Sequence, residues 1–159
     1  MQGRIEGLTK ALALADLKAM DTLGARIAGA LARGDCVALE GDLGAGKTTL
    51  ARAILRALGV TEIVPSPSFT LVQAYETARL PVRHFDLYRI ENIAELDELG
   101  LDEALDEGTV LIEWPERAPG RLPQDTLHVA LSIAGETARS AHLSGPSRWG
   151  ALFEVCDVN

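Results

Sequence analysis

The chain lacks a membrane span: no apolar run in its 159 residues approaches the ~20 needed to cross a bilayer. Residues Met1 to Lys10 include Glu6 and contain no apolar segment, so no secretory leader is expected. Cysteine is scarce. Cys36 and Cys156 are far apart and fit no metal-ligand spacing, and Cys36 lies in an apolar strand pattern that suits a buried, inert thiol. A reducing cytoplasm is the expected setting. There is no repeat or low-complexity segment. With 47% hydrophobic and 24% charged residues, disorder, collagen and coiled coil are excluded. The length suits a single domain over residues 1–159, long enough to bury a sizeable core.

A basic excess is also missing. Fifteen Lys and Arg face 23 Asp and Glu, a net charge of −8. Eight of those acids fall between Glu91 and Glu107, a stretch with no Lys or Arg, and without them 15 acids match 15 bases. A protein that grips nucleic acid by itself normally shows a basic face. Self-sufficient RNA binding is therefore disfavoured. The acidic stretch could dock a basic partner, but a solvated helix face is the simpler reading.

What is present is alternation of strand and helix patterns. Ala11 to Ala15 is a short apolar run that could be a strand. Asp16 has the chemistry of an N-cap for an amphipathic helix carrying Leu17, Met20, Leu23, Ile27 and Leu31, with Gly34 placed to end it. Cys36 to Leu39 reads as a strand, and Thr48 to Leu58 as a helix stopped by Gly59. Strand candidates follow at Glu62 to Val64, Phe69 to Ala74 and Val82 to Tyr88, with Pro65 and Pro67 forcing an extended loop. Asn92 to Leu99 and Leu101 to Asp106 predict short helices ended by Gly100 and Gly108. Thr109 to Ile112 has the β-branched, apolar character of a strand buried on both faces. Thr126 to Ile133 and Ala138 to Leu143 predict a hairpin at one sheet edge, and Trp149, Leu152 and Phe153 could pack back on the core. The expected fold is α/β, a P-loop NTPase-like three-layer sandwich with a mostly parallel central sheet and a C-terminal antiparallel hairpin.

Gly41-Asp42-Leu43-Gly44-Ala45-Gly46-Lys47-Thr48 fits G-x-x-x-x-G-K-[ST]. Glycines let successive N–H groups point inward at a helix N-terminus, which makes an anion nest. Lys47 would place a charge on the β- and γ-phosphates, and the Thr48 hydroxyl is a hard ligand for Mg²⁺. A chance match has a probability of only roughly 0.5% in a chain of this length, and the motif follows an apolar strand and opens a helix, as the phosphate loop requires.

A P-loop enzyme also needs an acid near the metal, usually at the end of a buried strand. Glu113 ends the apolar run Val110-Leu111-Ile112, and Asp86 ends His84-Phe85-Asp86. One would order the Mg²⁺ site while the other orients the attacking water, and the sequence leaves open which does which. His84 reads as structural. Arg89 and Arg117 could reach a phosphate or a partner, or form surface ion pairs. Trp114 is either core or a contact surface. Ser66-Pro67-Ser68-Phe69-Thr70 sits where a switch-like loop would be ordered by the γ-phosphate and Mg²⁺, with an ordinary connection as the alternative.

These blocks together resemble the TsaE family of bacterial P-loop ATPases. The resemblance rests on Thr22-Leu23-Gly24, Gly41 to Thr49 (GDLGAGKTT), Ser66 to Val72 (SPSFTLV), His84 to Arg89 (HFDLYR) and Ile112 to Glu116 (IEWPE). Ser68 stands where the family usually has Thr, which keeps the hydroxyl. The resemblance implies a role in making threonylcarbamoyladenosine in tRNA, at the adenosine beside the anticodon. The chain would hydrolyse Mg-ATP within a complex with TsaD and TsaB proteins, without transferring the group itself and without gripping tRNA. It also implies that Thr22 lies near the adenine and that Asp42, Leu43, Gly44, Ala45, Gly46 and Thr49 line the nucleotide. Lys47 and Thr48 would hold phosphate and metal, Glu113 would belong to the Mg²⁺ site, and Asp86 would be needed for activity.

Rival readings exist. A small-molecule kinase also uses a P-loop in a domain of this size, but usually needs an Arg-rich lid where this chain has its acidic stretch. A GTP switch would normally carry Asn-Lys-x-Asp, and neither Asn92 nor Asn159 precedes a Lys. A nucleotide-gated adaptor without turnover is a third.

Overall fold

The structure, a computed structural model, describes residues 7–62, 64–67 and 70–156. Its strands are β1 (Leu8–Leu14), β2 (Cys36–Glu40), β3 (Val72–Glu76), β4 (Pro81–Asp86), β5 (Thr109–Glu113), β6 (Leu127–Ile133) and β7 (Arg139–Gly145). The helices are α1 (Leu17–Ala30), α2 (Lys47–Ala57), α3 (Glu95–Leu99), α4 (Leu101–Glu107) and α5 (Gly150–Cys156). All seven strands form one sheet in the order β1-β7-β6-β2-β5-β4-β3.

The alternation of side chains along the inner strands divides the core into two. Val37 and Leu39 of β2 and Leu111 of β5 join Leu23 and Ile27 of α1 and Leu50 and Ile54 of α2 on one face. Cys36 and Ala38 of β2 and Val110 and Ile112 of β5 join Leu96, Leu101 and Ala104 of α3 and α4 on the other. The result is the expected three-layer sandwich, and Trp149, Leu152 and Phe153 pack into the first of these cores. Gly24 permits the close approach of α1 to α2: a Cβ there would lie 2.5 Å from that of Ala53.

The sheet is parallel where it carries the loop. β6, β2, β5 and β4 run parallel to one another, while β3, β7 and β1 add antiparallel flanks. "Mostly parallel" therefore describes the centre and not the margins. The C-terminal hairpin is not at a sheet edge. β1 pairs along the whole of β7, from Leu8 opposite Gly145 to Leu14 opposite Arg139, and covers it.

Other local expectations need correction. The β1 strand is longer than the apolar run suggested and stops at Leu14. Asp16 caps α1 as expected, accepting from the Ala19 amide at 2.9 Å. Gly34 does not end that helix, which stops at Ala30. The Arg79 guanidinium donates to the Ala28 and Leu31 carbonyls at 2.7 Å each, so a distant side chain satisfies the helix terminus that a glycine turn would have closed. Glu62 and Val64 are not in strand, and residue 63 lies outside the described residues. The acidic stretch is a largely exposed face of α3 and α4, with Glu107 paired to Arg83 at 3.0 Å and Asp97 to Arg121. Among the described residues, no helix is long and apolar enough to cross a membrane.

Candidate functional site

The loop from Gly41 to Gly46 leaves β2 at the end of the parallel sheet and opens α2. Gly41, Gly44 and Gly46 have φ of 141°, 83° and 109°, values open to glycine and costly for other residues. At Gly41 a Cβ would also lie 2.5 Å from the Leu131 carbonyl oxygen. Gly46 gives α2 no side-chain cap, whereas α1 has Asp16. The first-turn amides of α2 are thus offered outward at the positive end of the helix.

Lys47 is buried and folds back on its own loop, donating from Nζ to the Gly41 and Asp42 carbonyls. Its ammonium lies 4.1 Å from the centre of the Trp114 ring, a cation–π contact. Burial pushes the Lys47 pKa below the usual lysine range, and the charges of Glu113, Asp86, Glu116 and Asp42 oppose that shift.

Strand register assembles the acids. β4 and β5 pair in parallel with Asp86 opposite Glu113, and Leu39 of β2 also lies opposite Glu113. His84 and Asp86 are two apart on β4, so both face the side that carries α2. The Thr48 hydroxyl donates toward Glu113, 2.9 Å from each carboxylate oxygen. His84 Nε2 lies 2.7 Å from Glu113 Oε2. Asp86 Oδ1 accepts from the Tyr88 amide at 3.0 Å. His84, Asp86 and Glu113 are all buried.

Lys47, Thr48, Ser66, Asp86, Glu113 and Trp114 line a cleft of about 260 Å³. Trp114 is neither plain core nor plain surface: half-buried over Lys47, it contacts the Tyr88 ring at 4.9 Å. Its φ of 59° is left-handed and costs on the order of 1 kcal/mol, strain typical of functional sites.

A second hollow of about 240 Å³ lies on the other side of the loop, where Leu17 and Met20 of α1, Thr49 of α2 and Arg139 of β7 converge. Arg139 donates to the Gly44 carbonyl at 3.2 Å. Sequence reasoning does not place Leu17, Met20 and Arg139 beside the loop, where they line this hollow. One signal was available: Leu17 and Leu43 are large apolar residues beside the loop, and they prove 69% and 68% exposed.

Thr22 is not brought to either hollow. Its hydroxyl donates to the Lys18 carbonyl at 3.0 Å, and it lines a separate pocket with Leu12, Leu14, Arg26 and Cys156. Asp42, Leu43 and Gly44 are exposed on the loop, and the Ala45 amide donates to the Asp42 carbonyl. Arg117 rests on the Tyr88 ring and donates to the Ile90 carbonyl. No arginine is among the described residues lining the cleft. Of the proposed switch-like loop, Ser66 reaches the cleft, and Ser68 and Phe69 lie outside the described residues.

The residues fit a nucleotide and a hard cation. The uncapped helix end suits phosphate, and Thr48 with Glu113 offers oxygen donors of the kind Mg²⁺ takes alongside phosphate and water. Among the described residues, no group of three or more His, Cys, Asp or Glu could hold a metal alone.

The family model described as "Threonylcarbamoyl adenosine biosynthesis protein TsaE" matches residues 14–141. The chain belongs to the TsaE family. The tRNA threonylcarbamoyladenosine biosynthesis protein TsaE of Bacillus subtilis is 43% identical over 117 residues, covering 72% of this chain and 73% of that protein. The TsaE protein of a Nostoc species is 39% identical over 148 residues, covering 90% of each. The crystal structure of Bacillus subtilis YdiB superposes with a TM-score of 0.77 at 30% identity, covering 98% of this chain and 97% of that one.

Proposed function

We propose that this chain is a Mg-ATP hydrolase that supports threonylcarbamoylation of the adenosine beside the tRNA anticodon, working in the cytoplasm with TsaD- and TsaB-like proteins. The observation that carries the reading is the contact of the Thr48 hydroxyl with Glu113, 2.9 Å from each oxygen, directly below a glycine-bounded, uncapped helix end.

The loop amides and Lys47 hold the phosphates, and the second hollow takes the base between Leu17, Met20 and Arg139. Mg²⁺ bound at Thr48 would neutralise charge on the β- and γ-phosphates. Lys47 must leave the Gly41 and Asp42 carbonyls to reach a phosphate. This exchange costs little because one charge-assisted hydrogen bond replaces another. Glu113 serves the metal side, since both its oxygens are engaged by Thr48 and one also by His84. Asp86, buried in the same cleft with Oδ1 held by the Tyr88 amide, orients the attacking water. Positioning and electrostatics supply the catalysis. No arginine is among the described residues lining the cleft, which agrees with turnover that stays slow until a partner completes the site. The acidic α3–α4 face agrees with tRNA being handled by those partners.

The test is reconstitution of tRNA modification with TsaD and TsaB proteins, comparing wild type with Lys47→Ala. Multiple turnovers should need wild-type chain and ATP, and fail with the variant. Unchanged multiple turnover with Lys47→Ala would sink the proposal. Transfer of the γ-phosphate to a metabolite instead of water would favour the kinase reading.

A further inference from the structure

His84 is wholly buried, and its Nδ1 has no hydrogen-bond partner among the described residues. Its other nitrogen lies 2.7 Å from Glu113 Oε2. A ring hydrogen on Nδ1 would be a buried, unpaired donor, which costs about 1–3 kcal/mol. A hydrogen on Nε2 leaves only a bare lone pair at Nδ1 and meets a carboxylate oxygen. The tautomer with its hydrogen on Nε2 is therefore the one the surroundings select.

This assignment fixes the direction of the next hydrogen bond. Glu113 is then an acceptor from both sides, from His84 Nε2 and from the Thr48 hydroxyl. With its single hydrogen committed to Glu113, Thr48 turns its lone pairs away from the carboxylate, where a cation could use them. Without His84, one Glu113 oxygen loses its anchor, the carboxylate can rotate, and the Thr48 hydrogen loses its fixed target. We propose that His84 is a positioning residue: its Nε2–H holds the Glu113 carboxylate so that Thr48 presents its oxygen lone pairs to the metal that accompanies the nucleotide. The inference rests on the Mg-ATP reading above. Hydrogen bonds one step removed from a metal are commonly worth ten- to a hundredfold in its affinity.

The test uses the intact chain and a fluorescent ATP analogue, titrated with Mg²⁺ and with EDTA. Glutamine places its amide nitrogen near the position of Nε2, and asparagine places its own near Nδ1. His84→Asn should leave the EDTA affinity near wild type and reduce the strengthening by Mg²⁺ about tenfold or more, and His84→Gln should restore most of it. Equal losses with and without Mg²⁺ would mark a purely structural histidine and overturn the inference, as would a wild-type Mg²⁺ response in both variants. If either variant fails to fold, nitrogen NMR of the wild-type ring decides: a hydrogen on Nε2 supports the inference, and one on Nδ1 overturns it. Failure of the wild-type chain to bind the analogue would sink the Mg-ATP reading itself and is distinct from all of these.

Discussion

Glu113→Gln separates charge from shape at the centre of the cleft. The glutamine fits the same space, but it has one acceptor oxygen where the carboxylate has two. Thr48 and His84 both donate toward Glu113. The glutamine oxygen can stay toward His84 Nε2, and the Thr48 hydroxyl, which both donates and accepts, can take a hydrogen from the amide nitrogen. Bonds to a charged acceptor are replaced by neutral ones, so the cost to stability should be about 1 kcal/mol, a fall in melting temperature of roughly 2–4 °C for a chain of this length. The larger effect should fall on chemistry, because an anion at the metal side is lost: ATP hydrolysis with partners present should fall about 10²- to 10³-fold. The charge of Glu113 also opposes the burial that lowers the Lys47 pKa, so its removal should let that pKa fall further. On the proposed reading Lys47 holds phosphate only while protonated. The variant should therefore lose nucleotide affinity at a lower pH than wild type as pH rises. The assays are calorimetric melting, ATP hydrolysis in the assembled complex, and binding titrations across pH. A variant that hydrolyses ATP at the wild-type rate with the wild-type metal response would refute the assignment of Glu113.

Three further outcomes are expected. Gly24→Ala gains helix propensity of about 1 kcal/mol, but its Cβ would meet Ala53 Cβ at 2.5 Å and Ala53 C at 2.9 Å, and overpacking at about 1–3 kcal/mol should win. A higher urea midpoint for that variant would contradict the close α1–α2 approach. Burial pushes the Cys36 thiol up to about 12, so native protein should resist alkylation of Cys36 at mildly alkaline pH. This burial contributes stability fully below the unfolded thiol's pKa, and that contribution should be lost as pH rises toward the folded value. Alkylation of native protein as fast as denatured protein would contradict it. The hydrogen bond from His128 holds the Glu40 carboxyl below its usual range. The stability it contributes is present above the ordinary carboxylate pKa and lost as pH falls through the folded one. Denaturation midpoints measured down the acid range should slope less in His128→Ala, and an unchanged slope would remove Glu40 from the account.

What could be read in advance was what local chemistry determines. The phosphate loop was legible because glycine at Gly41, Gly44 and Gly46 is demanded by the loop's own backbone. Glu113 and Asp86 were legible as the polar ends of apolar strands. The strand register that sets them side by side is a non-local property that neither run contains. The same limit explains the errors. Gly34 looked like a helix stop because the cap from Arg79, 48 residues beyond Leu31, leaves no trace beside the helix. The hairpin looked like a sheet edge because β1, which covers β7, lies at the far end of the chain. Placement around α1 is non-local in the same way: Thr22 lines a separate pocket, while Leu17 and Met20 of that helix meet the loop. His84 shows the limit most clearly. By pattern it was an ordinary core histidine, and burial agrees. Its significance depends on a 2.7 Å contact to a residue 29 positions away and on a second nitrogen with no partner among the described residues. A neutral ring has one hydrogen to place, and of its two nitrogens only Nε2 has an acceptor to meet, so the long-range contact and not the local pattern directs that hydrogen to Glu113.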